Sequence, residues 1–145
     1  MPVHELFPAS VGRPPSGAVR HHVHHLDDSI GRFDLEALDR DLRSDPAYSS
    51  EGHCAVTLAK FPDLRMVLLA MHQGSHVGDA TAYARLSVQT LRGHAVLHHA
   101  EGTLHLKMGQ LATLDHHMGV DLEAAEDASV LLTLAWDGAA PGALA

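Results

Sequence analysis

Cysteine, aromatic residues and basic residues are all scarce in this chain of 145 residues. Its single cysteine, Cys54, excludes a disulfide within the chain and suits a reducing compartment such as the cytoplasm. Lys and Arg number 10 against 18 Asp and Glu, and the formal net charge of −8 argues against nucleic acid or anionic membranes as partners. The start, MPVHELFPAS, lacks a signal-peptide pattern, and no apolar run approaches the ~20 residues of a membrane helix. We therefore expect a cytoplasmic protein with no nucleic-acid or membrane partner.

Histidine is abundant by contrast, with 14 copies, so mild acid would reverse the sign of the net charge. The length of the chain and its 46% hydrophobic fraction suit one globular domain. Residues 1–31 are rich in proline and aperiodic, which predicts an extended N-terminal arm. We expect the folded domain over residues 32–137 and a flexible tail over residues 138–145.

A short helix is predicted at the start of this domain, over residues 34–43. Asp34 is a good N-cap residue, and Leu35, Leu38 and Leu42 fall on one helical face. The Ser-Asp-Pro sequence that follows is expected to end the helix.

After residue 52 the pattern changes to short apolar runs of strand length, separated by turn residues. Many short strands at regular spacing predict an all-β sandwich or barrel. The pair Glu101-Gly102 lies between two such runs and predicts a tight hairpin. The predicted strands cover residues 53–60, 65–72, 83–92, 94–99, 103–108, 110–115, 119–125 and 128–136.

Two segments resemble the signature motifs of the cupin family, whose members are double-stranded β-helix barrels related to jelly rolls. GSHVGDATAYARLSVQTLRG runs from Gly74 to Gly93, and GQLATLDHHMGV runs from Gly109 to Val120. The glycines keep the spacing of the motifs, and tight corners between barrel strands need such residues. The resemblance extends over residues 33–136 to a branch of small single-domain cupins. It implies an all-β cupin or jelly-roll barrel, preceded here by the extended arm and one short helix.

The residues that bind metal in this family are replaced in this sequence. The resemblance places the first motif's two histidines on Ala80 and Ala82, its glutamate on Leu86, and the second motif's histidine on Val120. None of these side chains has a lone pair to offer, so the usual iron, manganese or nickel site cannot form. We therefore expect no cofactor at the usual positions.

Histidines elsewhere offer an alternative, a divalent metal at a non-standard site. Such a site requires three or four of them to converge from different strands, with one coordination position open for catalysis. The competing interpretation is that they are ordinary surface or rim residues. The candidates are His72, His76, His98, His116 and His117. The arm carries a further cluster, HHVHH at residues 21–25, but exposed histidine clusters more often bind metal opportunistically than for function.

The predicted ligand pocket is a set of apolar residues lining the barrel near the family's usual active centre. The two alanines at 80 and 82 leave room for an apolar ligand, although leucine and methionine side chains could fill the same space. The pocket residues are Ala80, Ala82, Leu86, Val88, Val120 and Leu122.

Three functions compete at this point. The leading hypothesis is a non-catalytic module that binds or senses a small molecule without a metal. The alternative is a metal-dependent dioxygenase or isomerase that uses relocated histidines. The third is a structural or partner-binding homodimer, since the small cupins that the chain resembles commonly dimerise through edge strands.

Overall fold

The fold is a two-sheet β barrel with two short helices on its outside. The computed structural model describes residues 19–21, 30–78, 84–116 and 118–138, with the backbone alone for residues 19–21. Most of the expected arm and of the expected tail lie outside these residues. The described helices and strands are α1 (Leu35–Arg43), α2 (Pro46–Glu51), β1 (Val19–His21), β2 (His53–Lys60), β3 (Leu64–Met71), β4 (His76–Val77), β5 (Arg85–Arg92), β6 (His94–His99), β7 (Gly102–Lys107), β8 (Leu111–Leu114), β9 (Asp121–Ala124) and β10 (Ala128–Ala135).

Two sheets face each other across one apolar core. The six-stranded sheet has the order β1-β2-β3-β10-β5-β8, and the four-stranded sheet has the order β4-β9-β6-β7. Every described strand pair is antiparallel except β1 with β2. Side chains from both sheets form a single buried cluster between them. The all-β jelly-roll architecture predicted from the sequence is confirmed.

Alternation along the strands explains which residues fill this core. On β5, Leu86 and Val88 are buried while Ser87 and Gln89 are partly exposed. Burial of such side chains contributes roughly 1.5–3 kcal/mol each, which makes the facing apolar surfaces the main source of stability. A shift of one residue in register would turn these side chains outward, so the pattern also fixes the pairing.

Helix α1 begins where the sequence predicted, with Asp34 as its N-cap accepting a hydrogen bond from the Ala37 N–H. The sequence pattern does not predict helix α2, because Pro46 there indicates only the end of α1. Proline also suits the first turn of a helix, where its missing N–H is not needed. Asp45 caps α2 by accepting a hydrogen bond from the Ala47 N–H.

A buried polar network fastens both helices to the six-stranded sheet. The Asp39 carboxylate on α1 accepts hydrogen bonds from Arg43 Nε at 3.0 Å and from the Ser129 hydroxyl on β10 at 2.6 Å. Arg43 also donates to the Tyr48 hydroxyl on α2 at 2.7 Å. Charged hydrogen bonds of this kind are stronger than neutral ones, and removing one partner leaves the other unpaired in a buried place.

The predicted strands are confirmed to within a few residues, with two additions. The predicted strand 83–92 begins at Arg85, and the predicted strand 119–125 shortens to β9. The hairpin at Glu101-Gly102 joins β6 to β7. The additions are β4, which is too short to show a periodicity, and β1, which pairs in parallel with β2 over three residues.

Gly93 and Gly109, which the motifs singled out, both adopt the left-handed backbone conformation, with φ of +76° and +86°. Their surroundings differ. A Cβ on Gly93 would lie 2.1 Å from the Asp127 carbonyl oxygen, whereas a Cβ on Gly109 would meet nothing within 4 Å. Glycine is required at position 93 because another backbone segment passes close by and because φ is positive. At position 109 it is favoured only by the positive φ of a turn.

This contrast gives a matched pair of substitutions. Gly109→Ala should cost about 1–2 kcal/mol, because an alanine at positive φ is strained. Gly93→Ala should cost about 1–3 kcal/mol more, because the added methyl also overlaps backbone atoms that cannot move freely. Urea unfolding of the two variants measures the difference. Equal losses of stability would contradict the close approach at Gly93.

Candidate functional site

The described residues of the predicted pocket lie on opposite sheets and meet in the core. Leu86 and Val88 come from β5, Leu122 comes from β9, and Val120 immediately precedes β9. All four are buried in the same cluster. Ala80 and Ala82 lie outside the described residues.

The metal of the cupin family does not fit the two ligand positions that the structure describes. These are Leu86 and Val120, which the resemblance aligns with the motif's glutamate and its second-motif histidine, and both side chains lie in the apolar core. A hydrocarbon side chain supplies no donor atom to a metal ion. Among the residues that the structure describes, no three His, Cys, Asp or Glu side chains are arranged to hold a metal.

Histidines and carboxylates gather instead on the outer face of the four-stranded sheet. The pairing places His76, Glu123 and His105 in one row across the sheet, in register with Val96. His98 Nε2 lies 2.6 Å from the Glu123 carboxylate, and His76 Nδ1 lies 2.9 Å from the Asp121 carboxylate. We call His76, His98, Asp121 and Glu123 the outer histidine cluster.

The electrostatics of the outer histidine cluster favour an ionised carboxylate. The hydrogen bond from His98, with the charges of His76 and His98, holds the pKa of the Glu123 carboxyl below its usual range. The His76 and His98 side chains are 51% and 37% exposed, and their rings stack with centroids 6.3 Å apart. The cluster is a hydrogen-bonded surface network, separated from the pocket residues by the sheet itself.

The other described candidate histidines do not join this cluster. His72 Nδ1 lies 3.8 Å from Asp127, and its ring lies against Tyr48. His116 pairs with Asp115 at 2.7 Å, and that hydrogen bond lowers the pKa of the Asp115 carboxyl. His117 lies outside the described residues. Of the four candidates that the structure describes, His76 and His98 are the two that come together.

Two residues at one end of the barrel were not predicted from the sequence. Arg65 on β3 is 2% exposed, and Trp136, which follows β10, is 9% exposed. The guanidinium carbon of Arg65 lies 5.5 Å from the centre of the Trp136 ring, a cation–π geometry. The signal was present in the sequence, because Arg65 alternates with Val67 and Leu69 and so falls on the inward face.

Two surface grooves have the size of small-molecule sites, which is ~300–1,000 Å³. One of about 580 Å³ lies between α1 and the six-stranded sheet, where Leu68, Leu91 and Met108 line it. The other, about 430 Å³, lies at the ends of β5, β8 and β10, where Ser87, Thr113 and Thr133 on the outward face of the six-stranded sheet line it together with Leu86 and Leu114.

Known proteins resemble this chain in structure and not in sequence. No protein-family model and no curated protein matches it. SPY1581, a conserved protein of unknown function from Streptococcus pyogenes, is 18% identical with a TM-score of 0.64, over 86% of this chain and 99% of that chain. DSY2733, a cupin superfamily protein from Desulfitobacterium hafniense, is 15% identical with a TM-score of 0.56, over 59% of this chain and 78% of that chain.

An enzyme is also similar in structure. Salicylate 1,2-dioxygenase from Pseudaminobacter salicylatoxidans is 16% identical with a TM-score of 0.62, and the match covers 71% of this chain and 34% of the enzyme. At these identities the comparisons show the fold alone. The double-sheet barrel described above is a cupin-like fold.

The described part of the chain contains no helix with the length and apolar character needed to span a membrane.

The outer histidine cluster predicts a pH-dependent contribution to stability. A carboxyl whose pKa is lowered by folding stabilises the protein above its unfolded-state pKa, about 4.3 for Glu. That contribution disappears as the pH falls through the folded-state pKa of Glu123. Glu123→Gln should therefore be less stable than the wild type at pH 7, and the difference should shrink toward pH 3. Urea unfolding at both pH values measures it.

Glu126→Gln is the matched control, because Glu126 is an exposed carboxylate in the adjacent turn. It should leave stability nearly unchanged at both pH values. If Glu123→Gln lowers the free energy of unfolding by the same amount at pH 7 and pH 3, the ionised carboxylate is not the source of that stability.

Proposed function

We propose that this chain is a cupin-fold module that binds a small molecule without a metal ion. One observation carries the proposal. All four positions at which the cupin motifs place metal ligands are apolar here, while the glycines that shape the barrel remain in place. The two of these positions that the structure describes, Leu86 and Val120, are buried in the core. The scaffold is kept, and the residues for metal chemistry are absent from its usual site.

The proposed ligand pocket lies at the mouth of the barrel, near the usual active centre. Leu86, Val88, Val120 and Leu122 supply its apolar floor, because these side chains pack together between the two sheets. The short side chains of Ala80 and Ala82 complete the set in this proposal. An apolar pocket with a few polar groups is the common form of a small-molecule site.

The alternative is a metal enzyme that uses relocated histidines. His76 and His98 are the two described candidates that come together, and both lie on the outer face of the four-stranded sheet. The sheet separates them from the apolar interior, where a bound substrate would be shielded from water. This placement argues for the binding module over the enzyme.

The test measures metal content and ligand binding on the same untagged protein. Elemental analysis should find no stoichiometric metal, because the usual ligand positions have no donor atoms. A thermal-shift screen of neutral apolar compounds should give stabilising ligands, and a ligand at 100 times its Kd stabilises by about 2.7 kcal/mol. Stoichiometric metal that persists after His21, His22, His24 and His25 are replaced by Asn would overturn the proposal.

The positive control restores the motif. A variant carrying Ala80→His, Ala82→His, Leu86→Glu and Val120→His should gain affinity for Mn²⁺ or Ni²⁺, provided that circular dichroism shows a folded protein. If this folded variant binds no metal, the positions assigned to the motif are wrong.

We also propose that the protein forms a homodimer in the cytoplasm. Two exposed apolar side chains support the dimer. Leu111 on the edge strand β8 is 57% exposed, and Met108 in the turn before β8 is 69% exposed. The single cysteine, Cys54, is buried and fits a reducing compartment. Sedimentation velocity tests the dimer, and a monomer at every concentration up to the solubility limit would exclude it.

A further inference from the structure

Strand β7 lies at the edge of the four-stranded sheet and is held from one side. In the described part of the chain it pairs with β6 alone, and five of its six residues are exposed. Leu106 is its buried residue and belongs to the core cluster. A strand with few buried contacts opens at a lower free-energy cost than a central strand. Side-chain contacts between β6 and β7 therefore help to decide whether β7 stays in place.

Two histidines form such a contact on the outer face of the sheet. His94 Nε2 on β6 lies 2.8 Å from His105 Nδ1 on β7, and the two rings meet edge to face with their centroids 5.0 Å apart. A hydrogen bond between two imidazole rings needs one N–H and one nitrogen lone pair. At least one of these two nitrogens must therefore be unprotonated. When both rings are protonated, two N–H groups and two positive charges face each other, and the hydrogen bond is lost.

The histidines of the outer histidine cluster have carboxylates as partners instead. His98 Nε2 lies 2.6 Å from the Glu123 carboxylate, and His76 Nδ1 lies 2.9 Å from the Asp121 carboxylate. A protonated imidazole still donates to a carboxylate, and the hydrogen bond becomes charge-assisted. Protonation of histidine therefore strengthens the contacts that join β4, β9 and β6, and it weakens the contact that joins β6 to β7.

On the side of β9, the charge next to the pair is negative. Glu123 lies in one row with Val96 and His105. The hydrogen bond from His98 is the main cause that lowers the pKa of the Glu123 carboxyl, and the charge of His105 contributes to the same shift. Because this attraction is mutual, the Glu123 carboxylate favours a proton on His105.

The other charged groups beside the pair come from β7 and from the turn after β9. Lys107 pairs in register with His94 and opposes a second positive charge there. The backbone N–H of Glu126 donates to the His94 carbonyl, which brings the turn with the exposed carboxylates of Glu126 and Asp127 close to this histidine. Among the described residues of this region the carboxylates outnumber the lysine, so the region attracts protons.

We propose that the His94–His105 pair makes the edge strand β7 sensitive to acid. At neutral pH the pair holds β7 against β6; in mild acid both rings are protonated, the contact breaks, and β7 separates from the sheet and opens the barrel at Leu106. Histidine is the side chain that ordinarily changes its charge between pH 5 and 8. The open state accepts a proton on both rings and the closed state does not, so a lower pH favours opening.

Backbone amide hydrogen exchange of the full chain measures the release of β7. Protection factors, which correct for the effect of pH on intrinsic exchange, are compared at pH 7.5 and pH 5.0 for β3, β7 and β9. Protection of β7 should fall by about tenfold or more at pH 5.0, as expected for a lost hydrogen bond and a new contact between like charges. Protection of β3 and β9 should change by less than about twofold, because carboxyl groups with reference pKa values of about 3.9 and 4.3 stay ionised at pH 5.0.

A substitution then assigns the effect to the pair. In His105→Gln the side chain keeps a donor and an acceptor but takes up no proton, so its contact with His94 persists in acid. The fall in β7 protection at pH 5.0 should be lost in this variant. His72→Gln is the matched control, because it removes an exposed histidine whose ring lies against Tyr48 and away from β7. It should keep the response of the wild type. Thermal melts at pH 7.5 verify that both variants are folded.

Three outcomes would overturn the proposal. The first is equal protection of β7 at both pH values, and the second is a fall of equal size in β3, β7 and β9, which would mean that the whole barrel loosens. The third is a folded His105→Gln that responds to pH like the wild type. If this variant does not fold, the NMR shifts of the imidazole nitrogens in the wild type decide the third point, because release of β7 while either ring of the pair is still neutral contradicts the mechanism.

Discussion

The close approach of two backbone segments at Gly93 is the constraint on which the barrel depends. Here the chain leaves β5 in the six-stranded sheet and enters β6 in the four-stranded sheet. The Asp127 carbonyl oxygen occupies the space where a side chain would begin. Asp127 itself lies on the return passage, between β9 and β10, so two connections between the sheets pack against each other at one point. A side chain at position 93 would push these two connections apart.

Charged and titratable groups are distributed around this frame with different degrees of burial. The Asp39–Arg43–Ser129 network lies between helix and sheet and contains several hydrogen bonds, so it attaches α1 to the six-stranded sheet. The outer histidine cluster lies in solvent, where its contribution depends on pH. Arg65 differs from both, because it lies inside the barrel end next to the unsatisfied indole donor of Trp136.

Much of the fold could be predicted because the sequence carries it locally. Alternating apolar residues located the strands, Asp34 located the start of α1, and the motif glycines identified the barrel. The second helix was missed because a proline can both end one helix and begin the next. β4 was missed because a strand of two residues is too short to show an alternation of apolar and polar side chains. β1 could not be predicted since its pairing with β2 depends on contacts across more than thirty residues of chain.

The candidate site was less predictable, because it depends on which strands meet. The resemblance to the motifs predicts four apolar positions where the family has metal ligands, but no spacing shows that His76 and His98 share a face or that Arg65 lies against Trp136. These contacts join residues far apart in the sequence. Alternation along β3 is enough to predict that the Arg65 side chain points inward. It does not predict that this side chain contacts Trp136.

The parallel pairing of β1 with β2 has a consequence for solubility. β1 covers residues 55–57 at the outer edge of β2, a strand of eight residues whose backbone would otherwise present unpaired N–H and C=O groups there. Sheet edges of that length recruit strands from other molecules. β1 therefore protects part of an edge that is prone to association, and a shortened protein that begins at Ile30 would expose that part to its neighbours in concentrated solution.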